Sequence, residues 1–110
     1  MTKKNKKFPY QLDSGGIISL PENEIKTILI AADLIIGSGG RTLLAKILKG
    51  SKDKKIFELN FNENNSYGLF KNFQIPVIIN KIDWVIQNNY LKIEYDNRLP
   101  VIFFSYEGWK

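Results

Sequence analysis

Residues 76–104, PVIINKIDWVIQNNYLKIEYDNRLPVIFF, place two hydrophobic periods back to back, and reading that change of period decides the fold. In the first half Ile78, Ile79, Ile82, Val85 and Ile86 recur at helical spacing, Pro76 suits a first helical turn, and Asn88-Asn89 closes the helix. The second half gives an extended run from Leu91 to Tyr95, a turn at Asp96-Asn97-Arg98 and an apolar strand over Val101-Ile102-Phe103-Phe104. A helix running straight into a β-hairpin is the expectation for this stretch.

Two further helices are expected upstream. Ser19-Leu20-Pro21-Glu22 has the S-x-x-E spacing of a capping box, and Ile25, Ile28, Leu29, Ala32, Ile35 and Ile36 follow at helical spacing until Gly37. After the flexible Ser38-Gly39-Gly40 turn, Leu43, Leu44, Ile47 and Leu48 form a second amphipathic run that ends at Gly50. Between Ser51 and Asn72 the pattern is irregular, with Ile56, Phe57, Leu59 and Phe61 compatible with a short strand or a helical turn. Three main helices followed by a hairpin make an α+β winged helix, with the third helix as recognition element and the hairpin as wing. Residues 1–16 read as a basic, flexible N-terminal arm and residues 17–110 as one domain.

The 110 residues include neither cysteine nor histidine, which removes disulfides, thiolate chemistry, sulfur-ligated zinc and the commonest general base. The carboxylates Glu22, Glu24, Glu94 and Asp96 sit where a cap or an edge strand expects solvated residues. No enzyme activity, cofactor, metal or small-molecule substrate is therefore expected. Gly37-Ser38-Gly39-Gly40-Arg41-Thr42 fails as a phosphate-binding fingerprint: a Walker loop needs Gly at Ile35 and Lys at Arg41, and a dinucleotide turn needs Gly at Thr42. No apolar run has signal-peptide or membrane-span length, so a cytoplasmic location is expected, nucleoid-associated if the source is bacterial.

The net charge is +5 and the pI about 9.4, which favours an anionic partner. Its distribution is more telling. Residues 1–7 hold four lysines and no acid, residues 41–55 hold six cations against Asp53, and the remainder is net negative. Segregated charge of this kind fits DNA held by its phosphates. Arg41, Lys49, Ser51, Lys52, Lys55 and Lys71 are the candidate phosphate contacts, with Lys92 and Arg98 on the wing. Ser51 offers both its hydroxyl and its backbone N–H. On the third helix Asn80 and Lys81 are placed to reach base edges, and Trp84 either stacks on a base or sugar at a duplex end or packs beneath the wing or the second helix. Two alternatives accompany the DNA reading: a protein-interaction module anchored by Trp84, and a dimeric transcriptional regulator.

Thr42-Leu43-Leu44-Ala45-Lys46-Ile47-Leu48-Lys49-Gly50-Ser51, then Ser66-Tyr67-Gly68-Leu69-Phe70-Lys71, then Ile82, Val85, Ile86, Tyr90 and Leu91 are three motifs in order. Together they resemble the RQC domain, the winged helix that follows the motor of RecQ-type DNA helicases. Pro100-Val101-Ile102 with Glu107-Gly108 is similar to the returning strand, so the resemblance spans roughly residues 20 to 108. It implies a duplex-binding domain, for duplex or branched DNA, with phosphate contacts at Lys49, Ser51, Lys55 and Lys71. The departures are the lack of a helicase motor and of the four zinc-module cysteines, as in a stand-alone or minor RQC protein. The wing tip, Asp96 to Leu99, also carries no aromatic wedge, and only Tyr95 stands near enough to stack.

Overall fold

The structure, a computed structural model, describes residues 12–96 and 99–105. Four helices and a hairpin follow in chain order: α1 (Glu22–Ala32), α2 (Arg41–Lys49), α3 (Lys54–Glu58), α4 (Ile75–Gln87), β1 (Leu91–Asp96) and β2 (Leu99–Phe104). The expected third helix is thus α4. The stretch that had no clear period forms α3 and a 3-10 turn at Phe61–Glu63, anchored by Ile56, which is fully buried.

The capping box at Ser19 does not form. Helix α1 starts at Glu22 with Pro21 as its cap, and the Pro21 carbonyl accepts the N–H groups of Glu24 (3.0 Å) and Ile25 (3.1 Å). A proline at 21 disfavours helical backbone at Leu20, the first residue a Ser19 cap would need in the helix, and Pro21 itself is extended at ψ 146°, so the cap moves two residues beyond Ser19. Glu22 and Glu24 then lie in the first turn, where negative charge suits the helix dipole. The helix narrows to a 3-10 turn over Asp33–Ile35, and Gly37, at φ +76°, ends it.

The glycine turn is tied to the wing. Gly37 donates to the Ile102 carbonyl and Ile102 donates to the Gly39 carbonyl, each at 2.8 Å, so this turn adds backbone rungs to β2. Strands β1 and β2 pair antiparallel with Leu91 opposite Phe104, Ile93 opposite Ile102 and Asp96 opposite Leu99. The hairpin residues Leu91 and Ile102 join Ile28, Leu44, Leu48, Ile78, Ile82 and Val85 in one core. Apolar side chains at helical and strand periods thereby share one interior, and burying each contributes about 1.5–3 kcal/mol.

A second face of α4 is buried as well. Residues 12–20 run across it as a strap: Leu12, Ile17 and Leu20 join the core, and the Asp13 N–H donates to Oδ2 of Asp83 at 2.8 Å. Leu12 to Gly16, expected within the arm, therefore belong to the folded part; residues 1–11 lie outside the described residues. Asp83 is only 1% exposed, and Nη1 of Arg41 lies 2.7 Å from its Oδ1 and 2.8 Å from its Oδ2. One carboxylate thus joins the strap, the start of α2 and the middle of α4. Gly15, at φ +63°, lets the strap pass close: a Cβ there would fall 2.4 Å from Nδ2 of Asn80.

Two stability predictions come from these contacts. Asp83→Ala removes the buried carboxylate that Arg41 Nη1 and the Asp13 N–H share, and should lower unfolding free energy by about 3 kcal/mol in urea titration; a change within error would show that this carboxylate does not tie the three segments together. Gly50→Ala forces a left-handed residue (φ +82°) with its new Cβ 3.0 Å from the Gly68 Cα. It should cost about 1–3 kcal/mol by the same titration.

Candidate nucleic-acid interface

Helix α2 ends in a left-handed glycine turn. Gly50 donates to the Lys46 and Ile47 carbonyls at 3.1 Å, and the Ser51 N–H donates to Lys46 at 2.9 Å. The chain then returns: Gly68 donates to the Ile47 carbonyl at 3.0 Å and Phe70 to that of Leu48 at 2.9 Å. The segment Ser66–Lys71 is consequently laid across the C-terminal end of α2, with Phe70 buried beneath it. Tyr67 closes the arrangement by donating its hydroxyl to the Ser51 carbonyl at 2.9 Å.

Two sequence motifs some twenty residues apart meet in this way. Lys49 and Ser51 are thereby bonded to the 67–73 segment that carries Lys71, and Lys52 follows Ser51 directly in the chain. Lys52 and Lys71 are exposed and enter no ion pair among the described residues. Lys49 differs: its Nζ donates to the carbonyls of Lys71 (2.8 Å) and Phe73 (2.7 Å). Ser51 differs from expectation too, because its N–H is spent on Lys46. Its hydroxyl oxygen accepts the Asp53 N–H at 3.1 Å, which leaves the hydroxyl proton to donate outward.

Lys55 stands on the other side of α3. It lines a cleft of about 430 Å³ with Gly40, Arg41, Thr42 and Pro100, between the start of α2 and the first residues of β2. Lys46 and Asp53 also face that cleft and pair at 2.7 Å, so the single acid of residues 41–55 is already taken. Arg41 turns its guanidinium inward to Asp83 and is 22% exposed. The positive surface therefore has two parts, the end of α2 with the segment that crosses it and the cleft edge carrying Lys55.

The α4 residues do not join either part. Lys81 pairs with Glu24 of α1 at 2.7 Å, both side chains largely buried, and its Nζ lies 4.5 Å from the Phe73 ring centroid. It is a strut between two helices. Trp84 is 9% exposed, donates Nε1–H to the Ile18 carbonyl at 3.3 Å and stacks on Tyr90. Of the two uses open to that tryptophan, packing is realised, beneath the strap and not beneath the wing. Asn80 is half-buried against Gly15. The face of α4 expected to read base edges is occupied by residues 12–20 of the same chain.

On the wing, Lys92 is exposed and pairs with Glu94 at 2.8 Å. Arg98 at the wing tip lies outside the described residues, as does the side chain of Tyr95. What the sequence reading missed is the Arg41–Asp83 pair and the strap. Asp83 between Ile82 and Trp84, on a helix with apolar residues in three directions, was the available signal for a second buried face.

Among the described residues no cluster of carboxylates able to hold a metal occurs, and no helix is long and apolar enough to cross a membrane. The chain is 32% identical over 69 residues to the ATP-dependent DNA helicase RecQ of Bacillus subtilis (strain 168). That alignment covers 63% of this chain and 12% of the helicase, so the chain spans a small fraction of that relative. No solved structure matches it. The model of the RQC domain matches residues 22–109, which takes in α1 through the returning strand of the wing, and with the helix order and hairpin found here the chain belongs to the RQC domain family.

Proposed function

We propose that this chain is a DNA-binding winged-helix module that holds duplex, forked or branched DNA by its phosphates and catalyses no reaction. The observation that carries the proposal is the crossing of the 67–71 segment over the end of α2, which brings the backbone of Ser51 and the segment of Lys71 together, with Lys52, Lys55 and Lys71 exposed. The relative's printed function, a DNA helicase, supports the choice of anion. Exposed lysines that touch no carboxylate keep condensable counterions of their own to exchange for phosphate, which is the main source of affinity in such complexes.

Base reading contributes little in this proposal. Asn80, Lys81 and Trp84 are engaged by Gly15, Glu24 and Ile18, so α4 offers few groups to a groove. Arg41 acts at one remove, by holding the start of α2 in place. The wing supplies a second strand contact through Arg98, with Lys92 available once Glu94 releases it. Binding should then depend on DNA shape and charge more than on sequence.

Three lysines plus two wing cations give three to five phosphate contacts, and log affinity should fall against log salt with a slope between about −2.7 and −4.5. Unrelated duplexes of equal length should bind within a few-fold of one another. Charge reversal at Lys52, Lys55 and Lys71 together should weaken binding by at least about 100-fold at low salt. Binding insensitive to salt, or a triple variant that binds like the parent, would remove the phosphate reading.

A further inference from the structure

We infer that Lys49 is a positioning residue, which clamps the backbone of the Lys71–Phe73 segment so that Lys71 is presented to DNA, and does not itself grip a phosphate. The inference rests on the phosphate reading above for its consequence, though the clamp itself belongs to the free protein.

An ammonium has three N–H donors, and two of those on Lys49 are spent on carbonyls at 2.8 and 2.7 Å. Both distances are those of charge-assisted hydrogen bonds. Lys49 is also the last residue of α2, at the negative end of that helix, where a cation is held more strongly than on an open surface. Moving its Nζ to a phosphate means leaving two carbonyls and that end of the helix together. Among the described residues Lys52 and Lys71 have no such commitment and meet a phosphate without first breaking a bond to one of them.

The Phe73 ring is held by Phe70, the core and Lys81, but the backbone of the segment that Lys49 grips has few other restraints. Residues 71–73 belong to no helix or strand; Lys71 donates to Gly68 at 3.1 Å and Phe73 to Phe70 at 2.9 Å, both within tight local turns. Upstream, Gly68 and Phe70 are tied to α2, and downstream Gln74 caps α4 by accepting from Val77 and Ile78. Between these two anchors Lys49 provides the cross-link to α2. Without it the Lys71 backbone samples more conformations, and ordering that segment is then charged against DNA binding.

The test separates a clamp from a contact. Lys49→Met should speed amide exchange at Lys71 and Phe73 in the free protein by about ten-fold, since those amides lie in a segment no longer held to α2. DNA affinity should drop about five-fold while the salt slope stays at the parental value, because no phosphate contact is lost. Lys71→Ala, by contrast, should reduce the slope by about 0.9. The double variant should bind within about two-fold of Lys71→Ala alone, since the clamp then has nothing to present. Lys49→Arg keeps donors and charge in place and should preserve both slow exchange and affinity, which guards against a folding failure in the methionine variant. A slope reduced by about 0.9 with exchange unchanged would make Lys49 a direct contact and overturn the inference. Unchanged exchange with unchanged affinity would overturn it as well. If the parent itself shows no salt-dependent binding, the proposed function fails, and the exchange measurement still decides whether the clamp exists.

Discussion

The C-terminal end of α2 is where the rest of the surface is determined. A helix leaves its last carbonyls unpaired, and a buried end with unpaired carbonyls is costly. Here Lys46, Ile47 and Leu48 are satisfied by Gly50 and Ser51 from one side and by Gly68 and Phe70 from the other. That solution requires a left-handed turn at residue 50 and a close crossing at residue 68, and both positions are glycine with positive φ. The segments that carry Lys49 and Lys71 are brought together by these backbone bonds. Capping the helix and joining the two segments are thus one arrangement.

A second constraint acts at the other end of α2. Asp83 would be expensive to bury alone, and it is tolerated because Arg41 and the Asp13 N–H reach it together. The consequence reaches beyond stability. The strap that delivers Asp13 goes on to cover Trp84, so the helix that leads recognition in many winged helices is here built into the interior on two sides. Its polar residues hold the protein together.

The legible part of this architecture was whatever repeats locally. The period-3.6 stripe of α4, the alternation of the hairpin and the glycine stops at residues 37 and 50 each report a neighbourhood of a few residues, and the elements formed where those signals lay. The start of α1 was misplaced because the Ser19–Glu22 spacing ignores the restriction Pro21 places on the residue before it. The Arg41–Asp83 pair spans 42 positions and the Lys49–Phe73 bond 24, and no periodicity carries information across such separations. Motif similarity did carry some. It placed Lys49, Ser51 and Lys71 in one site, where charge spacing alone gave only a basic stretch. It did not reveal that Lys49 is spent on carbonyls.

Charge counted along the chain overstates charge available for binding, and the difference has a structural cause. Of the six cations in residues 41–55, Arg41 is committed to Asp83, Lys46 to Asp53, Lys49 to two carbonyls, and Lys54 lies 3.9 Å from Glu58. Lys52 and Lys55 remain, and Lys71 joins them from the returning segment. Counterion release scales with phosphates neutralised and not with residues of the right type, so a cation already paired adds little until its partner lets go. The committed cations still matter, because each fixes a piece of backbone: Arg41 the start of α2, Lys46 the turn into α3, Lys49 the path to α4. A basic segment of this design divides its positive charge between building the surface and offering it, and the second share is the smaller one.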